Sequence, residues 1–147
     1  LLFEKFSPDY AFFGEKDYQQ LVIIKKLVEK NNLKVKIKAV STEREENGLA
    51  ISSRNKLLDI YTLKNARILF DCLCTTKKMI KTHDFNEIKK IIYRKFDNNK
   101  SFNLEYLCIA EETSLKEAKI YSSKIKLRAF ISASSKGVRL IDNIALY

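Results

Sequence analysis

The stretch Phe12-Phe-Gly-Glu-Lys-Asp-Tyr-Gln-Gln-Leu21 decides how the chain is read. A short apolar run over residues 10–13 ends in Gly14, and Glu15, Lys16 and Asp17 follow. Leu21, Val22, Ile24, Leu27 and Val28 then recur at helical spacing, which predicts strand, tight turn and helix. In an open α/β sheet such a turn lies at the carboxyl end of a strand, where ligands bind. Gly14 carries no Cβ, so a ligand can approach the backbone. The first helical turn offers unpaired N–H groups and a positive dipole end, which suit an anion, and Lys16 adds a mobile point charge for phosphate oxygens. Helical spacing also lets Lys16 and Gln20, and Asp17 and Gln20, share a face. The plainer reading is a helix start whose Glu15 and Asp17 complement the dipole and whose Lys16 is solvated.

Working outward, residues 1–6 read as the end of a helix, broken at Pro8 and Asp9. Residues 10–13 read as a buried parallel strand because every side chain is apolar. The helix runs over about residues 17–29 and ends at Asn31 and Asn32. Residues 33–40 alternate, with Leu33, Val35, Ile37 and Ala39 opposite Lys34, Lys36 and Lys38, as in a strand with one wet face. Strand, helix and strand within this length make a βαβ unit. Residues 41–47 are polar and read as a loop and a domain boundary.

Gly48-Leu-Ala-Ile-Ser-Ser-Arg-Asn55 forms a second distinctive stretch. By local pattern its Ser52-Ser-Arg-Asn55 end reads as an ordinary helix N-cap. A long helical region over about residues 57–81 follows, then a connection through Thr82, His83 and Asp84, then a helix over residues 85–96. Phe102, Leu104, Tyr106 and Cys108 alternate as a strand, and residues 111–123 read as a loop with room for one helical turn. Residues 127–132 and 138–144 flank a Ser-Ser-Lys-Gly turn and predict a β-hairpin.

Composition narrows the function classes. The chain has 147 residues, 46% hydrophobic and 31% charged, which is globular rather than disordered. No apolar run approaches the roughly 20 residues of a membrane span, and no secretory signal opens the chain. The first residue is Leu1 rather than Met, so the expectation is a segment of a longer protein. A net charge of +10 raises nucleic acid as a partner. The lysines scatter, however (Lys25 and Lys26, Lys34, Lys36 and Lys38, Lys77 and Lys78, Lys89 and Lys90), and no nucleic-acid-binding signature accompanies them, so nucleic acid is not the expected partner. Cys72, Cys74 and Cys108 have no histidine pair nearby, which argues against zinc and for reduced thiols.

The segment FGEKDYQQL closely resembles one found in the pantoate–β-alanine ligases (pantothenate synthetases). GLAISSRN resembles a second motif of that family at the expected separation, and Arg139-Leu-Ile-Asp-Asn-Ile144 is similar to its last strand. The resemblance runs the length of the chain but covers the carboxyl-terminal half of the family's protein. It implies α/β plus α+β architecture. Residues 1–41 would end a Rossmann-like ATP- and pantoate-binding domain. Residues 42–147 would form a small carboxyl-terminal domain with helices on an antiparallel sheet. It also implies a cytoplasmic enzyme, dimeric through the larger domain, that uses ATP and Mg²⁺ to join pantoate to β-alanine through a pantoyl-adenylate.

Carried over by motif, Gly14, Glu15, Lys16 and Asp17 match the ATP-contacting segment, with Lys16 on the phosphates as the catalytic cation. Asp17 would hydrogen-bond in the nucleotide pocket or help hold Mg²⁺. Gln20 matches the pantoate-binding glutamine. Glu43 falls where the family touches adenine through its backbone. Ile51, Ser52, Ser53 and Arg54 match a mobile loop similar to the Lys-Met-Ser-Lys-Ser loop of class I aminoacyl-tRNA synthetases, which closes over the β- and γ-phosphates. The chain departs from the pattern at Ala39 and Ser41, where Gly and Pro are usual, and at Glu43, where an apolar residue is usual. The family's His-x-Gly-His type motif belongs to the amino-terminal half. The sole histidine here, His83, reads as a surface residue. A non-catalytic remnant or a binding module on the same scaffold is the alternative, and activity of the chain alone is not expected.

Overall fold

A computed structural model describes residues 2–147; Leu1, part of the expected opening helix, lies outside the described residues. The chain divides into two compact units, Leu1–Thr42 and Glu43–Tyr147.

In the first unit, helix α1 (Leu2–Phe6) leads to strand β1 (Tyr10–Gly14), a 3₁₀ turn (Glu15–Asp17), helix α2 (Tyr18–Lys30) and strand β2 (Lys36–Val40). The strands pair in parallel, with Tyr10 opposite Lys36 and Gly14 opposite Val40. Parallel strands need a crossover, and α2 supplies it. Helix α2 ends where Asn32 turns left-handed at φ +50°. The Leu33 amide then reaches back to the Val28 carbonyl at 3.0 Å, a bond that takes up one of the last free helical carbonyls. Leu21 and Val22 of α2 and Val35 before β2 are buried.

Two expectations change here. Strand β1 is not fully buried: Tyr10 and Phe12 are exposed, Phe12 by 70%. Among the described residues β1 has a single strand neighbour, and its side chains alternate between exposed and partly covered. Lys36 and Lys38 lay their ammonium groups over the Tyr10 ring at 5.7 and 5.5 Å, shielding part of it. In addition, Lys16 and Asp17 lie in the 3₁₀ turn, so the α-helical face expected to hold them with Gln20 begins only at Tyr18.

The second unit packs helices α3 (Ile60–Asn65), α4 (Ile68–Met79) and α5 (Phe85–Asp97) with strands β3 (Asn103–Glu111), β4 (Leu127–Ser135) and β5 (Val138–Ala145). The sheet is antiparallel with order β3-β4-β5. The single helix expected over residues 57–81 is divided. A 3₁₀ turn (Ser53–Leu57) and two helices stand in its place, because Leu58 is extended and Asp59 caps α3 by accepting from the Thr62 amide at 2.8 Å. Between α3 and α4 the backbone tightens to i→i+3 bonds, from the Ala66 amide to Leu63 and from the Leu69 amide to Ala66. Helix α5 starts on a capping box in which Asp84 and Glu87 satisfy each other's amides.

The core lies between the helices and one sheet face. Leu69, Leu73, Ile88 and Ile92 meet Ile109, Ala129, Ile131 and Leu140. The expected hairpin is β4–β5, with Lys136 and Gly137 at φ +48° and +80°, the geometry of a two-residue primed turn. The loop expected over residues 111–123, with room for a helical turn, begins after Glu111 ends β3 and contains no helix. Cys72, Cys74 and Cys108 are free thiols, and burial pushes Cys72 up to about 12.

Candidate functional site

In the first unit the parallel register places Gly14 beside Val40 at the carboxyl ends of β1 and β2. Gly14 has φ −69° and ψ 136°, and a Cβ built on it would meet nothing within 4 Å. Its value to a site is therefore open space rather than unusual backbone. Glu15, Lys16 and Asp17 turn the chain into α2, whose N-cap position, Asp17, makes no side-chain capping bond. A helix of this length opening on backbone amides presents an anion-attracting end. The Lys16 ammonium stands 3.8 Å from the Asp17 carboxylate, with Asp17 more than half exposed. Gln20 is exposed in the first turn of α2.

In the second unit the remaining candidates lie on one small hairpin and on the stretch that leaves it. The Ile51 amide donates to the Glu43 carbonyl at 3.0 Å, Arg44 and Ala50 form a bridge, and the Glu45 amide donates to Leu49 at 2.8 Å. The turn is closed by Gly48, at φ +88°, and by Asn47 Oδ1, which accepts from the Leu49 amide. Glu43 and Ile51 are thus brought together by backbone pairing. Beyond them, Ser52 Oγ accepts from the Arg54 amide at 3.3 Å, Ser53 starts the 3₁₀ turn, and Arg54 donates to the Arg139 carbonyl on β5 at 3.2 Å. Asn55 is buried and donates to the Ala50 carbonyl, tying the end of the loop to the hairpin. An open cavity of about 640 Å³ lies beside the loop, lined by Glu45, Glu46, Ile51, Ser52, Asn55 and Lys56 among others.

Sequence reasoning missed the residues that hold this hairpin. Arg44 forks onto Asp142 of β5 at 2.6 and 2.9 Å and stacks on Phe70 of α4 at 4.2 Å. The available signal was an aspartate on β5 at the core-facing parity of Leu140, where a carboxylate requires a partner. His83 is exposed and pairs with the hydroxyl of Thr82 at 2.8 Å. Among the described residues no helix is long and apolar enough to cross a membrane.

Residues 1–145 match the family described as pantoate–β-alanine ligase. A pantothenate synthetase of Christiangramia forsetii is 43% identical over 145 residues, covering 99% of this chain and 51% of that protein. One from Flavobacterium psychrophilum is 41% identical over the same length and coverage. The crystal structure of a pantothenate synthetase from Thermus thermophilus superposes with a TM-score of 0.89 at 31% identity, covering 99% of this chain and 52% of that one. A pantoate–β-alanine ligase from Francisella tularensis, complexed with β-γ ATP and β-alanine, gives a TM-score of 0.65 at 28% identity, covering 99% of this chain and 46% of that one. The chain spans about half the length of the curated relatives it matches.

Proposed function

Because the chain belongs to the pantoate–β-alanine ligase family, we propose that it corresponds to the carboxyl-terminal half of an enzyme that condenses pantoate with β-alanine using ATP. The observation that carries the reading is the turn from Gly14 through Asp17. It closes a parallel strand at its carboxyl end and opens α2 without a side-chain cap, the arrangement that receives phosphate. The nucleotide and β-alanine in the Francisella tularensis complex support the substrate class.

A carboxylate is a poor electrophile, so the pantoate carboxylate oxygen first attacks the α-phosphorus of ATP and pyrophosphate leaves. The neutral β-alanine amine then attacks the mixed-anhydride carbonyl, loses a proton, and AMP departs. The first step crowds negative charge, which cations must offset. Lys16 offsets it in the first unit, where Gly14, Glu15 and Asp17 line the nucleotide and Gln20 donates to and accepts from pantoate oxygens. In the second unit the Glu43 backbone and Ile51 meet the adenine end, and Ser52, Ser53 and Arg54 close over the β- and γ-phosphates.

Among the described residues no three His, Cys, Asp or Glu side chains converge as a metal cage. A Mg²⁺ ion would be held mainly by phosphate oxygens and water, with the exposed Asp17 carboxylate beside Lys16 as a candidate ligand. The ion would supply charge neutralisation on the phosphates. The first unit would end a Rossmann-like domain, and the enzyme would be a cytoplasmic dimer.

The test is AMP release with ATP, Mg²⁺, pantoate and β-alanine. It is measured for this chain alone and for the chain mixed with the amino-terminal half of the Christiangramia forsetii relative. The expected result is release in the mixture that needs both acids and disappears in Lys16→Ala with the fold kept. Release unchanged by Lys16→Ala overturns the role of Lys16. ATP binding without AMP in either sample favours a non-catalytic binding module, which the half-length match also fits.

A further inference from the structure

We propose that Arg44 is the positioning residue of the nucleotide-closing loop, held in its working orientation by Asp142 and Phe70; this rests on the proposed ATP role of residues 43 and 51–54. One guanidinium gathers three elements. Its two terminal nitrogens meet the two oxygens of Asp142 on β5 at 2.6 and 2.9 Å, a parallel fork. Nη1 also donates to the Gly48 carbonyl at the hairpin tip at 3.0 Å. The planar group lies on the Phe70 ring of α4, which also abuts Gly48.

Stability alone does not account for this arrangement. Asp142 is 3% exposed and lies opposite Ile131 on the core side of the sheet, where a carboxylate is costly. Apolar groups of similar volume hold such a place as well or better. What the fork adds is direction. It fixes residue 44 with its side chain turned into the unit. The neighbouring Glu43 carbonyl must then meet the Ile51 amide, and Asn55 carries that register to the end of the Ser52–Arg54 stretch through Ala50. The adenine end and the phosphate end of the loop are thereby set by one ion pair that touches neither.

The experiment compares the wild-type chain with Arg44→Lys, Asp142→Asn and the double variant Arg44→Met/Asp142→Leu. Four quantities are read: melting temperature, affinity for ATP with Mg²⁺, affinity for pantoate, and amide exchange at Glu45 and Ile51 against Ile131 in the core. The single variants are expected to weaken ATP by about tenfold or more and to speed exchange at Glu45 and Ile51 by a similar factor, with pantoate affinity and Ile131 unchanged. The double variant is expected to recover melting temperature but not ATP affinity. Recovery of ATP affinity together with melting temperature makes the pair merely structural and overturns the proposal. A folded wild-type chain that binds no ATP overturns the functional reading instead. The exchange data then still decide the clamp, which fails if Glu45 and Ile51 remain protected in the double variant.

Discussion

The amide of Ile51 donates to the carbonyl of Glu43 at 3.0 Å, and that bond joins two segments of the second unit that the functional reading assigns to one nucleotide. Residues so paired move together. The Ser52–Arg54 stretch proposed to close on phosphates is therefore anchored on one side at Ile51, and on the other Asn55 ties the chain back to the Ala50 carbonyl. This places rigidity at the candidate adenine contacts, Glu43 and Ile51, and leaves the candidate phosphate contacts between two anchored points.

Gly48→Ala is expected to destabilise the second unit by about 2–4 kcal/mol. Left-handed backbone at φ +88° costs a non-glycine residue about 1–2 kcal/mol, and forcing a methyl against the Phe70 ring adds an overpacking cost of similar size. Gly137→Ala is the control, since φ there is +80° but a Cβ meets nothing within 4 Å. Urea unfolding of both variants isolates the Phe70 overlap. Equal losses would mean that the ring yields without cost.

Arg54→Gln is expected to separate stability from ligand affinity. Its side chain is exposed and donates to the Arg139 carbonyl at 3.2 Å, so unfolding free energy should move by no more than about 0.5 kcal/mol. Affinity for ATP should fall roughly tenfold to a hundredfold, the worth of charged hydrogen bonds to phosphate. Calorimetric titration of the variant checks this, and unchanged affinity would remove Arg54 from the phosphate role.

The Lys136 ammonium, with the Thr62 amide and hydroxyl, holds the Asp59 carboxyl well below the usual carboxylate range. A group depressed on folding contributes stability above its unfolded pKa, and that contribution is lost as pH falls through the folded value. Asp59→Asn keeps a capping side chain but removes the charge. The variant should melt lower than wild type at pH 7, and the gap should narrow progressively as pH drops below about 4. Thermal melts from pH 7 to about 2 test the sign; a constant gap would assign the difference to cap geometry instead.

Much of the fold was legible because punctuation and periodicity agreed. Pro8, Gly14 and the Asn31-Asn32 pair bracket the strand, helix and strand of the first unit, and the β4–β5 hairpin announced itself through Lys136-Gly137. The split of residues 57–81 was not legible. Leu58 fits a helical face, and only its extended backbone before the Asp59 cap ends the pattern. Burial of β1 was overestimated because an apolar run reports what a strand can bury, not what lies beside it. For the Arg44–Asp142 pair, strand parity could show that Asp142 needs a partner but not which one, because the pair spans 98 residues of sequence and no local spacing links the two.

A second buried ion pair supplies a different kind of test. Arg128 donates from Nε to Glu112 at 2.9 Å and from Nη1 to the Asn143 side chain at 2.6 Å, while the Tyr147 hydroxyl donates to the same Glu112 oxygen at 3.2 Å. Both charged side chains are more than nine-tenths buried. Glu112→Ala takes the carboxylate away from a buried guanidinium and leaves the Tyr147 hydroxyl without that acceptor, so the expected loss is about 3–5 kcal/mol in urea unfolding at pH 7. Replacing the pair together, Glu112→Leu with Arg128→Met, should cost markedly less than Glu112→Ala, because the desolvation penalty disappears along with the attraction. If the double replacement is instead the more damaging of the two, the pair contributes net stability to β4 and to the chain leading into it. Its role would then differ from the directional one argued for Arg44 and Asp142.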